Sequence, residues 1–383
     1  MSKNRVFYAL TFFILATAPY LHGQNSPHPD SVQTREFKPS GKLWGLVFGD
    51  YFLKVHADSL KRGNTQYSNI PKNYDAFAFR RIYLGYDFQF NEKFSAQFLL
   101  ANESDNADAS GERTLYIKAA NIRWKDIVKN NDLIVGQAAT PLFVPMSETI
   151  WSYRNVEKTI ADMRYIGSSN DLGVMWQGKL NDQGNFGYNF MLANGTSQRP
   201  ENDRYKKFYY ELYTRLMNQK LILDLTGDYE AAGHEKSKTT VKGFAVYVTK
   251  PVTVGIEALT QAKKNAARNI TDAANPVDVN VVQSGFTVFV RGCIIPDKLN
   301  YFARYDNYNP DTRFNPGLIY LKAPASDKEN FIIAGIDWSP IKNVHFEPNL
   351  WYDSFRSMKN NVTGNARSDY DMTARITFYY VFR

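Results

Sequence analysis

Apolar and polar residues alternate along the segment 369–382. One face of a strand in this segment carries the apolar and aromatic residues Tyr370, Met372, Ala374, Ile376, Phe378, Tyr380 and Phe382. The other face carries Asp371, Thr373, Arg375, Thr377 and Tyr379. Successive side chains of a strand point to opposite faces, so one face here is long and apolar while the other is polar and charged. The pattern predicts a strand with lipid outside and water inside, since about 9 to 11 tilted residues cross a bilayer.

Strand-like runs recur in pairs, each pair joined by a short turn and followed by a longer polar stretch. The predicted strands are 43–57, 76–90, 94–101, 115–124, 133–137, 171–180, 186–193, 207–217, 221–230, 241–249, 252–261, 284–292, 299–307, 330–339, 344–353 and 369–382. Two of them, 115–124 and 241–249, hold apolar residues on both faces. An open sheet is not viable in lipid, because each unpaired backbone group costs several kcal/mol. We therefore predict an all-β protein, a closed antiparallel transmembrane β-barrel of about 16 strands.

The N-terminus predicts export. Lys3 and Arg5 precede an apolar run, and small residues precede a cleavage position after Gly23, so residues 1–23 have the pattern of a signal peptide. The polar stretch 24–42 predicts a flexible periplasmic lead-in, and 43–383 the barrel. The 25 Tyr and 26 Phe of the chain are typical of aromatic girdles at the two membrane interfaces. These features predict a location in the outer membrane, in contact with its lipid.

A barrel of this size encloses an aqueous channel rather than a packed interior. The longest loop, 138–170, is the third on the predicted extracellular side, and we expect it to fold inward and narrow the channel. Its candidate pore-constriction residues are Glu148, Trp151, Arg154, Lys158 and Arg164. The alternative is a solvated extracellular loop. Trp151 either stacks on a solute or anchors the loop, and anchoring is the favoured interpretation.

Four arginines occupy predicted lumen positions on strands: Arg81, Arg215, Arg304 and Arg375. More acidic residues than arginines occupy such positions: Asp87, Glu211, Asp224, Asp228, Glu257, Asp306, Asp337, Glu347, Asp353 and Asp371. The arginines either form a ladder that contacts anions or pair with Asp87, Glu211, Asp306 and Asp371. Opposite charges at cross-strand positions stabilise a sheet modestly, and pairing is the favoured interpretation.

The segment 135–143, followed by Glu148, resembles the Gly–Gln strand end, the Pro–Phe pair and the glutamate of the phosphate-selective porin O and P family, in the form common among Bacteroidetes. Further segments are similar to its arginine pair, its next hairpin and its late strand: 79–81, 171–174 with 193–195, and 303–306. The resemblance covers most of the chain after residue 23. It implies passive diffusion of small hydrophilic solutes through a homotrimer, with a preference for anions such as phosphate.

Other classes of function find less support. His28, His56, His234 and His345 show no metal-ligand spacing, and no glycine-rich phosphate-binding loop is present, so we predict neither an enzyme nor a cofactor. The formal charge of +8 is not gathered into a stripe, and together with the export signal this argues against nucleic acid as a partner. A structural or assembly barrel that partners surface or secretion proteins remains the alternative, and such a barrel would conduct little in isolation.

Overall fold

The computed structural model describes residues 37–63, 65–103, 107–233, 235–321 and 326–383. The predicted signal peptide 1–23 and residues 24–36 of the predicted lead-in lie outside these ranges, as does His234. Residues 40–42 of the predicted lead-in belong to the first strand. Among the residues described, no helix is both long enough and apolar enough to cross a membrane.

Within the described residues, sixteen strands form one closed antiparallel barrel in which each strand pairs with its neighbours along the chain and β1 pairs with β16. The strands are β1 Ser40–His56, β2 Asp75–Gln89, β3 Phe94–Glu103, β4 Tyr116–Val128, β5 Asn131–Ala139, β6 Asn170–Lys179, β7 Phe186–Ala193, β8 Lys207–Leu216, β9 Leu221–Ala232, β10 Lys236–Val248, β11 Val252–Asn269, β12 Val277–Ile295, β13 Leu299–Asn309, β14 Asp327–Ile341, β15 Val344–Ser357 and β16 Ser368–Phe382. The predicted fold class and strand number are confirmed.

The barrel has a short-turn end and a long-loop end. Turns such as 90–93, 217–220 and 342–343 lie at the short-turn end, together with the start of β1 and the end of β16. The longest connections, 57–74, 140–169 and 310–326, lie at the opposite end. One connection departs from the predicted alternation of short and long, because β9 and β10 are joined at the long-loop end through residues 233–235 alone.

Several strands are longer than predicted. β11 ends at Asn269 and β12 begins at Val277, whereas the sequence pattern predicted strands over 252–261 and 284–292. Their hydrogen-bonded pairing continues toward the long-loop end through polar residues such as Lys263 and Arg268. Alternation of apolar and polar residues marks only the part of a strand that has lipid on one side, and therefore it misses such an extension.

The outer face of the barrel is apolar and the inner face polar, as β16 illustrates. Asp371, Thr373 and Arg375 are buried inside, whereas Ile376 and Tyr380 are exposed outside. The face assignment predicted for 369–382 is confirmed. Because a water-soluble sheet would instead turn its aromatic face toward a core, the apolar exterior is that of a barrel with lipid as its outer solvent.

The two strands with apolar residues on both faces have separate explanations. In β4 a bulge shifts the register against β3, so the outward positions change from Ile117 to Ile122 and Trp124. One extra residue reverses which side each following residue faces. In β10 the inward residues Phe244 and Val246 belong to an apolar cluster inside the barrel. Their apolar character is due to the loop that packs against them.

Candidate functional site: a loop folded into the barrel

The inner loop, residues 140–169 between β5 and β6, lies inside the barrel, which confirms the inward folding predicted for 138–170. It contains a π-helical turn, Val144–Glu148, and two short helices, α1 Thr149–Trp151 and α2 Ile160–Met163. Trp151 is 1 % exposed, and its ring centroid lies 5.3 Å from that of Phe289 and 6.2 Å from that of Phe302. The inward-facing apolar residues that share a cluster with the loop include Ile222, Phe244, Phe289, Phe302, Phe331, Ile333 and Trp351. A second apolar cluster joins other loop residues, among them Leu142 and Ile160, to inward residues of β5 to β8, β11 and β13. The apolar contacts of the loop therefore extend along the lumen wall from β5 to β15.

Four wall arginines donate hydrogen bonds to backbone carbonyls of the inner loop. The Arg80 guanidinium bonds to the carbonyls of Asn155 and Val156, at 2.9 and 2.6 Å, and Arg375 reaches the same Val156 carbonyl at 2.9 Å. In the same way Arg304 bonds to the Lys158 carbonyl at 2.5 Å and Arg291 to the Ile150 carbonyl at 2.7 Å. Backbone acceptors buried without a partner are costly, so these bonds allow an irregular loop to lie in the lumen.

The arginines predicted on the lumen wall are mostly paired. Arg304 bonds to Asp306, one of the predicted partners, at 2.5 Å, although both residues lie on the same strand. Arg81 pairs with Glu103 rather than Asp87. Arg375 has its Nη1 atom 3.8 Å from Asp50, and the predicted partner Asp371 binds Lys54 at 2.7 Å.

Two further predicted bases, Arg215 on the wall and Arg164 in the loop, are placed differently. The guanidinium of Arg215 lies near the Met146 sulfur, at 3.9 Å, and over the Tyr213 ring. Arg164 is buried between Glu329 and Asp353, at 2.5 and 3.3 Å, and Arg164 also donates to the carbonyl of Gly63. Burial lowers the pKa of Arg164, but the two carboxylates outweigh it and hold the pKa above its ordinary value.

The connection 57–74 also reaches into the lumen, which the sequence pattern did not predict. Tyr67 is buried, and its hydroxyl donates to Asp50 at 3.0 Å and accepts from Arg375 at 3.1 Å. The Lys54 ammonium donates to the Tyr67 carbonyl at 2.8 Å. Lys54 lies at an inward position of β1, so strand alternation would have identified it, whereas nothing local distinguishes Tyr67 from other loop tyrosines.

A cluster of partly exposed charges lies where the inner loop faces β2, β3 and β4. Arg154 binds the Glu148 carboxylate and the Asp162 carboxylate, the latter at 2.6 Å. Across from them Glu103 pairs with Arg81 and with Lys118, at 2.9 Å to the lysine. The side chains of Arg154, Glu148 and Asp162 are 17 %, 14 % and 14 % exposed, and that of Glu103 is 25 % exposed. Water therefore reaches this group. We use the name passage charges for these residues and Lys158: Arg81, Glu103, Lys118, Glu148, Arg154, Lys158 and Asp162.

Burial shapes the ionisation of the loop members of this group. It raises the pKa of the Glu148 carboxyl above its usual value, although Arg154 acts in the opposite direction. Burial also raises the pKa of Asp162, but Arg154 and Lys158 more than offset it and lower that pKa. Burial lowers the pKa of the Lys158 ammonium. Of the carboxyl groups that Arg154 joins, Glu148 is thus the one that protonates first on acidification.

A cavity of about 680 Å³ opens toward the short-turn end on the same side of the lumen. The inner loop contributes Val144, Pro145 and Thr149 to its lining, and β1 to β7 contribute the rest. Its charged lining residues are Lys42, Asp87, Arg123 and Lys125. Arg123 pairs with Asp132, and Lys125 donates to Gln89 at 2.9 Å. The charged group and this cavity together mark a part of the lumen, beside β1 to β4, that the loop does not fill.

Comparisons with known proteins agree on the fold. No family profile matches the chain, and no curated protein is detectably similar in sequence. Among solved structures, the outer-membrane channel DcaP of Acinetobacter baumannii has a TM-score of 0.61 at 14 % identity, over 90 % of this chain and 97 % of that one. An anion-selective porin from Comamonas acidovorans has a TM-score of 0.59 at 12 % identity, over 90 % of this chain and 100 % of that one. The in-vitro folded, trimeric form of OmpT from Vibrio cholerae has a TM-score of 0.56 at 9 % identity, over 90 % of this chain and 99 % of that one.

These similarities define the class of fold, the sixteen-stranded barrel of outer-membrane porins. At such identities the likeness extends to the fold alone. Membership of the phosphate-selective porin O and P family stays a prediction from the sequence motifs.

Proposed function

We propose that the protein is an outer-membrane porin through which small hydrophilic solutes diffuse passively. The observation that carries the proposal is the space that the inner loop leaves open beside β1 to β4. The apolar residues of the loop contact the wall from β5 to β15, while Glu148, Arg154 and Asp162 face the charged wall of β2 to β4. A partly hydrated, charged group beside an open cavity is the arrangement that filters solutes by size and sign, because selectivity is set by the charges at a constriction.

The same arrangement favours anions such as phosphate. The bases among the passage charges and the cavity lining are Lys42, Arg81, Lys118, Arg123, Lys125, Arg154 and Lys158, and they outnumber the acids. The acids are Asp87, Glu103, Asp132, Glu148 and Asp162. Many wall acids of the lumen, for example Glu257 and Asp306, lie instead in the fully buried part beside the inner loop. The wall is rich in acid, but the passage charges and the cavity lining together hold more bases than acids, with Arg81 and Lys118 buried against Glu103 and the other bases partly or fully exposed.

The predicted site residues divide into two roles in this proposal. Glu148, Arg154 and Lys158 contact the solute, and Arg81, buried against Glu103, adds its positive charge beside them. Arg164, Arg304, Arg375 and Trp151 hold the loop, as their burial and bonds indicate. Arg215, beside Met146, supports the loop at its first turn.

Location and assembly follow as parts of the same proposal. Export through the signal peptide 1–23 would leave Gln24 first in the mature protein, which N-terminal sequencing of membrane-extracted material tests. A homotrimer is supported by the family resemblance and by the trimeric form of one protein with this fold. Conductance that closes in three equal steps would accompany a trimer.

Purified protein in a planar bilayer with a KCl gradient is expected to conduct and to show a reversal potential of anion preference. Arg154→Gln removes a base and leaves Glu148 and Asp162 without it, so preference should shift toward cations. A unit charge about 4 Å away in water contributes about 1 kcal/mol, which corresponds to roughly a five-fold change in the permeability ratio. Arg199→Gln, in the exposed part of the connection 194–206, is the matched control and should leave the ratio unchanged.

An absence of conductance from folded protein would reject the porin and favour the assembly barrel, whose partner should then co-purify in fixed ratio. Conductance with cation preference would retain the channel and reject the anion filter. Equal ratios for Arg154→Gln and the wild type would remove Arg154 from the filter.

Acidification is expected to increase anion preference. Because burial raises the pKa of Glu148, its negative charge is lost at a higher pH than that of an ordinary carboxyl, and the passage becomes more positive. Reversal potentials recorded from about pH 7.5 down to about pH 5 measure the effect. Glu148→Gln should show high anion preference at both pH values and a smaller pH response. The same response in Glu148→Gln and wild type would contradict the assignment.

A further inference from the structure

Three potential metal ligands converge at the short-turn end of the lumen. Asp337 lies on β14, and His345 and Glu347 lie on β15, with one ligand atom from each within 4.8 Å of the others. The pairs Gly335↔Asn349 and Trp338↔Phe346 bracket Asp337 and Glu347 in the register, which places these two carboxylates opposite each other. His345 is two residues from Glu347 and therefore shares its face.

The two carboxylates lack a strong positive partner. Asp337 and Glu347 are 4 % and 1 % exposed. Among the described residues, their one ion pair within 4 Å is that of Asp337 with the His345 Nδ1 atom, at 2.7 Å. Like charges at opposite positions of a sheet are destabilising, and buried carboxylates are normally compensated by a cation. Asp371 and Asp306 elsewhere in the lumen show that compensation, through Lys54 and Arg304.

Neighbouring groups already orient these side chains. The Asn155 amide of the inner loop donates to Glu347. The Tyr153 hydroxyl and the Asn300 amide each donate to Asp337 at 3.4 Å. Such outer hydrogen bonds are a regular feature of metal sites, because they set the direction of the ligand lone pairs. A cavity of about 270 Å³ adjoins the three residues, so an ion and its water have access.

We propose that Asp337, His345 and Glu347 bind a divalent first-row transition-metal cation such as Zn²⁺. One imidazole nitrogen with two carboxylate oxygens is a donor set for these metals, whereas Ca²⁺ and Mg²⁺ prefer oxygen alone. The metal takes the position of the proton between His345 and Asp337. Tetrahedral Zn²⁺ bonds of about 2.0–2.2 Å place ligand atoms roughly 3.3 Å apart. The His345 and Asp337 atoms, now 2.7 Å apart, therefore separate slightly to admit the ion, which the partly exposed His345 ring can accommodate. The proposed metal site can be tested independently of the proposed transport function, because metal binding is measured on purified protein in detergent.

Titration of the tag-free, full-length protein with Zn²⁺ by calorimetry, and with Co²⁺ by visible absorption, tests the site. We expect one ion per chain and a Co²⁺ spectrum of low coordination number. His345→Gln and Glu347→Gln should each weaken Zn²⁺ binding at least ~10-fold, and Asn155→Ala should weaken it ~10–100-fold through loss of an orienting bond. There are two controls. Cys293→Ser removes a thiol that lines the same cavity, and His56→Gln removes a histidine at the long-loop end of β1, far from the site. Both variants should bind Zn²⁺ as the wild type does.

Wild-type affinity in His345→Gln would show adventitious binding elsewhere and overturn the proposal, as would the absence of a saturable site. Loss of binding in Cys293→Ser with retention in Glu347→Gln would also overturn it, because the thiol would then be the ligand. Each variant is first shown to keep the heat-dependent gel mobility of a folded barrel, so that loss of binding reports on the site.

Discussion

Replacement of Arg375 by methionine is expected to release the inner loop from the barrel wall and raise single-channel conductance several-fold. The Arg375 guanidinium joins four groups: the Val156 carbonyl of the inner loop, the Tyr67 hydroxyl of the connection 57–74, and Asn349 and Asp50 on the wall. Its side chain is fully buried, and loss of one partner from a buried charged network costs about 3–5 kcal/mol. Since both loops share this anchor, the variant should free more of the lumen than a variant in one loop.

Conductance histograms in a planar bilayer measure the change. Arg356→Met is the matched control, because Arg356 lies on the neighbouring strand β15 with its side chain exposed, and we expect wild-type conductance from it. Heat-dependent gel mobility separates loop release from barrel unfolding, since sixteen strands of backbone pairing remain in place. Unchanged conductance in folded Arg375→Met would show that the apolar contacts of the loop hold it without the arginine.

Replacement of Trp151 by alanine is expected to expose the inner loop to protease. The Trp151 ring packs on Phe289 and Phe302 and under the Arg304 guanidinium, and its indole nitrogen donates to the Glu157 carbonyl at 2.9 Å. Truncation of a buried tryptophan costs about 3–5 kcal/mol. Trypsin should then cleave after Arg154, Lys158 or Arg164 in membrane-embedded protein, and mass spectrometry identifies the sites.

The wild-type loop should resist trypsin at these positions under the same conditions. Trp338→Ala is the matched control, because it also truncates a tryptophan. Trp338 is half exposed on the outer face of β14, where its ring packs against Phe346, on the side of the barrel wall away from the loop. Protection of the loop in Trp151→Ala equal to that in Trp338→Ala would reject the anchoring role. It would then leave Trp151 as a candidate solute contact.

The two variants also separate the two kinds of force on the loop. Arg375 acts through hydrogen bonds and charge, and Trp151 through apolar packing. Arg304 contributes to both kinds of force, since it lies over the Trp151 ring and bonds to the Lys158 carbonyl. Arg375 and Trp151 hold the same loop, and effects within one such unit are not additive, so the double variant should change conductance by less than the sum of the single effects.

Most of the barrel could be predicted from the sequence because lipid on one side and polar groups on the other impose a two-residue period on each strand. The residues 369–382 show this period without interruption, and the structure places them as expected. The two-residue period is lost where the inner face of a strand packs against protein instead of water. In β10, Phe244 and Val246 face the inner loop, so both faces are apolar and the pattern carries no direction. In β4, the bulge reverses the faces within one strand.

The candidate site could be predicted in outline, as an inward loop with charged residues, but not in its assignment of roles. Arg154 and Arg164 lie in one loop and read alike in the sequence. The structure leaves Arg154 partly exposed beside β2 to β4 and buries Arg164 between Glu329 and Asp353. Partners so far apart along the chain are brought together only by closure of the barrel and by the path of the loop.

The sequence by itself determined the class of fold, the number of strands, which residues of strands such as β16 face lipid, and which loop enters the lumen, because these depend on local period and length. The tertiary structure alone decided which part of the lumen the loop leaves open and which wall acids it buries. It alone also brought Asp337 to His345 and Glu347 across two strands. These depend on contacts between distant segments, whose energies are set by burial and by the geometry of paired charges, and no local pattern records either.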